Sequence, residues 1–376
     1  MLKHWIPSLN FAILIAFTFF YSGCKDNPAE GGLFSNYQIV YHKWINNNWE
    51  IYLNSSDGNT PKNISNFSYE DSDCMWSPDG KAVAYTHMVN RAADIYLYNI
   101  KTNENINLTP DETYDAQTPA FSPDGKSILF SYLKIPDLPG TYIMKSDGSD
   151  KKKLLDYEAK IYFYKDSYNF LYQPAAVFDE KENYIYMTNT DRTYNEQILD
   201  LRTLAQDYAT VFDFNPHENK LLILASDTLN KPNFIITFDA ASKTIDTLIK
   251  ASEGHTFSTL RYSHDFTKIA LYEHSDDYKT MRLCLYDVKT KLLKYLVEIP
   301  STEGLLNFRP PEFSPDDRYL SYVKSINQSG GGHSGKSNLY TIELSTGKIQ
   351  YIDEADDPHW NPVGGLNLFY RKVIDS

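Results

Sequence analysis

Beyond Phe34 the apolar residues of this chain come in short runs rich in β-branched and aromatic side chains, and no stretch sustains the 3.6-residue period of a helix. Ala82-Val83-Ala84-Tyr85, Ile128-Leu129-Phe130, Leu221-Leu222-Ile223-Leu224, Ile269-Ala270-Leu271-Tyr272 and Tyr319-Leu320-Ser321-Tyr322 each have the length of a strand. The same punctuation precedes several of them. Trp76-Ser77-Pro78-Asp79-Gly80 returns as Phe121-Ser122-Pro123-Asp124-Gly125 and, worn, as Phe313-Ser314-Pro315-Asp316-Asp317. An aromatic closes one strand, proline presets φ for a turn, aspartate bonds its own backbone, and glycine takes the left-handed position before the next strand. Turn chemistry that recurs at a long period marks a repeat architecture.

Aligned on the aromatic, weaker copies follow at Phe178-Asp179-Glu180, Phe214-Asn215-Pro216-His217, Tyr262-Ser263-His264-Asp265 and Trp360-Asn361-Pro362. The anchors at 76, 121, 178, 214, 262, 313 and 360 have a mean spacing of about 47 residues, inside the ~40–50 of propeller blades. After each anchor come a strand, a hairpin, a second strand such as Asp94-Ile95-Tyr96-Leu97-Tyr98 or Leu339-Tyr340-Thr341-Ile342, a turn such as Ser146-Asp147-Gly148, and a short outer strand such as Asn105-Ile106-Asn107-Leu108. With the strand before the anchor this makes four antiparallel strands per unit, which predicts an all-β β-propeller of seven four-stranded blades. Phe178 and Phe214 stand only 36 residues apart, so six or eight blades are the alternatives. An N-terminal unit (Ile39–Tyr41, Glu50–Leu53, Lys62–Ser65) lacks an anchor strand, and a C-terminal one (His359–Pro362, then Leu366 to Tyr370) lacks outer strands. Joined, they form one blade from both termini and leave no free sheet edge.

The run Trp76-Ser77-Pro78-Asp79-Gly80-Lys81, then Ile95-Tyr96-Leu97-Tyr98-Asn99 and Asn107-Leu108-Thr109 before the next Ser-Pro-Asp-Gly, resembles the TolB-type WD-like propeller repeat over most of residues 37–370. That resemblance implies an extracytoplasmic binding or scaffolding protein, with a domain that also occurs fused to serine peptidases.

The first residues carry a different signal. Lys3 and His4 precede an apolar run from Phe11 to Tyr21, and Ser22-Gly23-Cys24 follows. A basic segment, a short apolar run and small residues form a secretory signal, too short for the ~20 residues of a spanning helix. The cysteine after the small residues resembles a bacterial lipoprotein signal, although Tyr21 stands where leucine is usual. The resemblance implies cleavage of residues 1–23 and lipid on Cys24. Residues 24–36 then read as a polar flexible tether, and 37–376 as a propeller held by acyl chains at a membrane of the cell envelope, periplasmic or at the cell surface.

Composition narrows the partners. A net charge of -13 argues against nucleic acid, which needs clustered Lys and Arg. The aromatic share of 15%, with 30 Tyr, suits packed sheet faces and contact surfaces for protein or glycan. Cys74 and Cys284 lie in distant strand-like runs and read as separate buried thiols rather than a disulfide. The domain is expected to be a monomer.

Gly330-Gly331-Gly332-His333-Ser334-Gly335-Lys336-Ser337 has the spacing of a phosphate-binding loop, but it links two strands of one blade and no helix follows to point at an anion. It reads as a hairpin tip. A propeller-fused peptidase needs a Gly-x-Ser-x-Gly elbow, absent here. A metal-dependent lyase acting on oligouronides is the enzymatic alternative: His217, His255, His264, His274 and His359, from several blades, would converge on the channel around a divalent ion. The remaining candidates lie in the segments before the anchor strands, expected to gather at one mouth of the channel: Asp71, Asp73, Asp115, Gln117, Gln173, His255, Arg309, Asp356 and Asp357. Their carboxylates would focus negative potential there and hold Ca²⁺, another divalent ion, or a basic or amide-rich partner; no other cofactor is expected. The preferred reading is a noncatalytic, lipid-anchored envelope scaffold that binds a protein or glycan at the channel mouth.

Overall fold

The computed structural model describes residues 37–363 apart from 90–91, 111–114, 134–139, 176–182, 206–207, 227–232, 307–308 and 326–336. The signal segment, Cys24 and the tether lie outside the described residues, as does most of the glycine-rich tip. Among those described, helix is confined to short 3-10 pieces such as Leu201–Thr203.

The strands form seven antiparallel sheets. Blade 1 contains Asp71–Trp76, Ala82–Val89, Ala92–Asn99 and Glu104–Asn107; blade 2 starts at Asp115–Phe121, blade 3 at Ala159–Phe163, blade 4 at Tyr208–Asn215 and blade 5 at His255–Tyr262. In blade 6 the inner strand is split into Leu305–Leu306 and Glu312–Phe313. Blade 7 takes its inner strand, Asp356–Trp360, from the C-terminal end, and its three outer strands from the N-terminal end, beginning with Gln38–Ile45. The seven-bladed propeller closed by both ends is therefore the observed fold.

Two sequence readings need correction. The anchor of blade 3 is Phe163, followed by Tyr164-Lys165-Asp166-Ser167, and not Phe178, which lies outside the described residues. Tyr164-Lys165 has replaced Ser-Pro, so the spelling is lost while the turn survives. Asp166 still accepts the N–H of Tyr168 and Asn169, and Ser167 holds a φ of 56° in the glycine position. The runs at Tyr184 and Gln197 are consequently the third and outer strands, not the second and third. The true anchors, Trp76, Phe121, Phe163, Phe214, Tyr262, Phe313 and Trp360, are 42 to 51 residues apart. In blade 7 the place beside Asp356–Trp360, expected for Leu366 to Tyr370, is taken by Gln38–Ile45, with Ile39 opposite Trp360; 366–370 lies outside the described residues.

The turns work as their chemistry requires. Ser77 Oγ donates to Asp79 Oδ1 and accepts the N–H of Ala82, Asp79 accepts the N–H of Lys81, and Gly80 sits at a φ of 65°. Ser122 with Asp124, Ser263 with Asp265 and Ser314 with Asp316 repeat the arrangement. A Cβ on Gly80 would run into the amide oxygen of Asn361, whose Nδ2 donates to Gly80 O across the ring seam.

A four-stranded blade cannot cover its own faces, and the core therefore lies between blades. Seven apolar clusters fill these interfaces; one packs Val40, Ile51 and Leu53 of blade 7 against Trp76, Val83 and Tyr85 of blade 1. Cys74 and Cys284 are separate buried thiols. The segment 326–336 joins Tyr319–Ser325 to Ser337–Glu343, two antiparallel strands with Ser325 opposite Ser337, which agrees with a hairpin connection and not with a strand-to-helix phosphate loop.

Candidate functional site

Five inner strands break their pairing a few residues before the anchor, at Ser72/Met75, Gln117/Ala120, Val211/Asp213, Ser258/Leu260 and, in blade 7, opposite Val40/His42. Each is a bulge, which bends a strand and re-aims its side chains. Three residues before the anchor, Asp73, Thr118, Thr259 and Asp357 have φ of 52°, 54°, 46° and 50°, the left-handed region unusual for such side chains.

The residues just before the anchors are Met75, Ala120, Tyr162, Asp213, Arg261, Glu312 and His359. Four consecutive blades thus present acid, base, acid, base. Arg261 Nη2 stands 2.5 Å from Glu312 Oε1, and Glu312 Oε1 stands 3.7 Å from His359 Nδ1. His359 Nε2 lies 3.6 Å from Asp357 Oδ1, and Asp357 Oδ2 lies 3.3 Å from Arg309 Nη1. Asp73 Oδ2 accepts from Ser72 and Thr86 and is within electrostatic reach of Arg309. A belt of buried and half-buried ionisable groups therefore runs from blade 4 through 5, 6 and 7 to blade 1.

Burial and charge set the protonation states. Asp213 accepts the N–H of Phe214 at 2.6 Å and, across the interface, that of Tyr262 at 2.7 Å, yet burial pushes its carboxyl up to about 8. Burial also raises Asp73, and its neighbour Asp357 adds to this. Asp357 goes the other way: burial opposes its ionisation, but Arg309 and His359 hold it well below the carboxylate range. His359 is pulled down by burial and carried above the usual histidine value by Asp357 and Glu312. His42 accepts the N–H of Cys74 at its Nε2, 3.4 Å away, and burial drives it down to about 4, which keeps it neutral. Burial and the nearby Asp357 and Asp73 hold the Cys74 thiol far above its ordinary value, unlike a nucleophilic cysteine.

Asp73, Cys74, Met75, Thr118, Pro119, Arg261, Arg309, Pro310, Glu312, Asp357 and His359 line a small half-open pocket.

The structure brings together Asp73, Arg309 and Asp357 from the sequence candidates, with Asp356 within electrostatic reach of Arg309. The others serve elsewhere. Asp71 is fully buried against His87, 2.7 Å from its Nδ1. Asp115 accepts the N–H of Ala93, tying blade 2 to blade 1. Gln117 is opposite Ser131, and Gln173 lies in a second strand, opposite Lys160, because the blade 3 anchor lies earlier than expected. His255 lies beside Arg282, Nε2 3.4 Å from Nη1, which in turn pairs with Glu273. Asp213, Arg261 and Glu312 were not singled out from sequence. Their signal is positional, one residue before each anchor.

The histidines do not converge. His217 meets Lys165, His264 meets Asp317 and His274 meets Thr256, so among the five only His359 lies in the hub. Among the described residues no three of His, Cys, Asp and Glu stand where they could share a metal ion. The hub carboxylates Glu312 and Asp357 already face Arg261 and Arg309.

Fold and site together define a seven-bladed β-propeller with a charged hub. Residues 33–206 match the model of the TolB beta propeller domain. Over 110 residues the chain is 31% identical to the protein Atu1656 of Agrobacterium fabrum, a match that spans 28% of this chain and 35% of that one. Among solved structures it is similar to an oligogalacturonate lyase from Vibrio parahaemolyticus (TM-score 0.55, 11% identity, 87% of each chain). It is likewise similar to a puromycin-hydrolyzing peptidase of Mycobacterium tuberculosis (TM-score 0.61, 10% identity, 84% of this chain and 53% of that one). At such identities these two structures share the fold alone.

Proposed function

We propose that this chain is a noncatalytic binding scaffold of the cell envelope, tethered to a membrane by lipid on Cys24, that receives a protein or glycan partner at the hub of its propeller. The observation that carries this reading is the belt itself: Arg261 with Glu312, Arg309 with Asp357 and His359 between the two carboxylates line an accessible pocket as fixed, mutually compensated charges. Such a surface presents oriented polar groups to a partner without needing to reorganise. Burial holds His42 neutral and Cys74 protonated, so Cys74 is not poised as a nucleophile beside the pocket. The match to the TolB propeller domain supports the same reading, as does the secretory signal ending in Cys24.

The test is capture from solubilised envelope membranes by the tagged, lipidated chain after cross-linking. The wild type is expected to retain a discrete protein or glycan that the Arg309→Gln, Asp357→Asn double variant loses. Equal capture by both, with the variant folded by circular dichroism, would show that the hub is not the binding face.

A further inference from the structure

The acidic sequence suggests a cation at the channel, but the side chains gathered there point to the opposite charge. We infer that the hub pocket is a carboxylate-binding site in which the guanidinium of Arg309, flanked by Arg261 and His359, receives the two oxygens of an anionic ligand; this rests on the hub being the binding face.

The first ground is where the acids went. Asp71 is committed to His87, and Asp115 to the backbone of blade 1. Asp213 faces the N–H groups of Phe214 and Tyr262, and it is not among the pocket-lining residues. What lines the pocket is Arg261, Arg309 and His359 against Asp357, Glu312 and Asp73. Asp357 is shared by two cations, since Arg309 and His359 both approach it. Glu312 is likewise already engaged by Arg261, so the pocket's two closest acids are spent on its own cations although the whole chain is acidic.

The second ground is unused donor capacity. A guanidinium carries five N–H donors in one plane and is satisfied by oxygens arriving in pairs. Arg261 gives one nitrogen to Glu312, while its Nε is buried without a partner. Arg309 Nη1 stands 3.3 Å from Asp357 Oδ2, a single close approach to a group with five donors, and the side chain, 19% exposed, lines the pocket. The guanidinium nitrogens of Arg309 that Asp357 does not occupy are the donors an arriving oxyanion would meet in the pocket. Met75, Pro119 and Pro310 give the pocket apolar walls, which exclude water and strengthen such a pairing.

The carboxylate could be carried by a sugar acid or by an amino-acid chain, and two probe pairs separate them. The full mature chain would be titrated with glucuronate against glucose and with acetyl-alanyl-alanine against its amide. Calorimetry and the ¹⁵N–¹H resonances of the arginine Nε groups would follow binding. At least one carboxylate is expected to bind tenfold or more tightly than its neutral counterpart and to shift the Arg309 Nε signal saturably. Arg309→Gln abolishes the preference, and Arg202→Gln, an exposed arginine of blade 3, preserves it. The pair that shows the preference identifies the source. No preference in either pair, or a preference that survives Arg309→Gln, overturns the assignment. If it falls while envelope capture still depends on Arg309, the scaffold reading stands; if capture also fails, both fall.

Discussion

Asp213 is the residue at which the hub and the stability of the fold meet. Its carboxyl accepts two backbone N–H groups, one from its own blade and one from blade 5, in a fully buried setting. Burial raises its pKa to about 8 from an ordinary 3.8. The folded chain therefore keeps a proton that the unfolded chain releases, and stability falls as pH rises from about 4 to 8. His42 acts with opposite sign: depressed by burial from 6.5 to about 4, it withdraws stability as pH drops through that window. The two slopes oppose each other at acid pH and leave a decline from about pH 6.5 to 8. Urea unfolding across this range is expected to show the decline in the wild type and a shallower one in Asp213→Asn; an unchanged slope would contradict the assignment. Little of this was legible beforehand. Asp213 sits in Phe212-Asp213-Phe214, where alternation places a carboxylate between aromatics without saying that a neighbouring blade supplies its partner. Arg309, Asp73 and Asp357 were found because they lie in the segment before an anchor. Asp71 and Asp115 share that position and turned out to be an intrablade and an interblade fastener respectively, a distinction that needs the third dimension.

At the scale of the element, the inner strand is a bulged strand and not a regular one. Four bulge residues hold positive φ, and two of them, Thr118 and Thr259, are β-branched. That conformation is strained for such a side chain, with a cost of about 1–3 kcal/mol that the surroundings offset. Thr118 Oγ1 donates to Gln117 O, and its N–H donates to Thr86 Oγ1 in blade 1, which also reaches Asp73. Thr118→Val retains the crowding and loses the hydroxyl, whereas Thr118→Gly relieves the crowding. In urea unfolding, Thr118→Gly is expected to be more stable than Thr118→Val by about 1 kcal/mol or more; the reverse order would show that the bulge is unstrained. Anchor turns were readable wherever Ser-Pro-Asp-Gly survives, because each residue has a separate mechanical duty. Blade 3 was misread because Phe163-Tyr164-Lys165-Asp166-Ser167 keeps the aspartate contacts and the positive φ but none of the spelling around them. Bulges have no comparable signature, since any residue can be the extra one.

For the molecule as a whole, closing the ring and building the hub are one event. The strand Asp356–Trp360 pairs with Gln38–Ile45 to complete blade 7, and the same strand carries Asp357 and His359. Trp360 Nε1 donates to Glu312 O and Ser321 Oγ in blade 6, and Trp76 Nε1 of blade 1 donates to His359 O, so the seam is held from both sides. The seven-fold repeat and its closure could be read from spacing and from the incomplete units at the two ends, because a blade with uncovered faces has few other ways to fold. What the hub binds could not, since side chains from five blades converge there. The most direct test of the hub as binding face is a photo-cross-linking side chain at Met75, which lines the pocket, compared with one at Asp147 in an exposed turn of the neighbouring blade. In native envelopes we predict a discrete adduct from position 75 that disappears with Arg309→Gln, and none from position 147. Adducts of equal yield from both positions, or none from position 75 in a folded protein, would contradict the account.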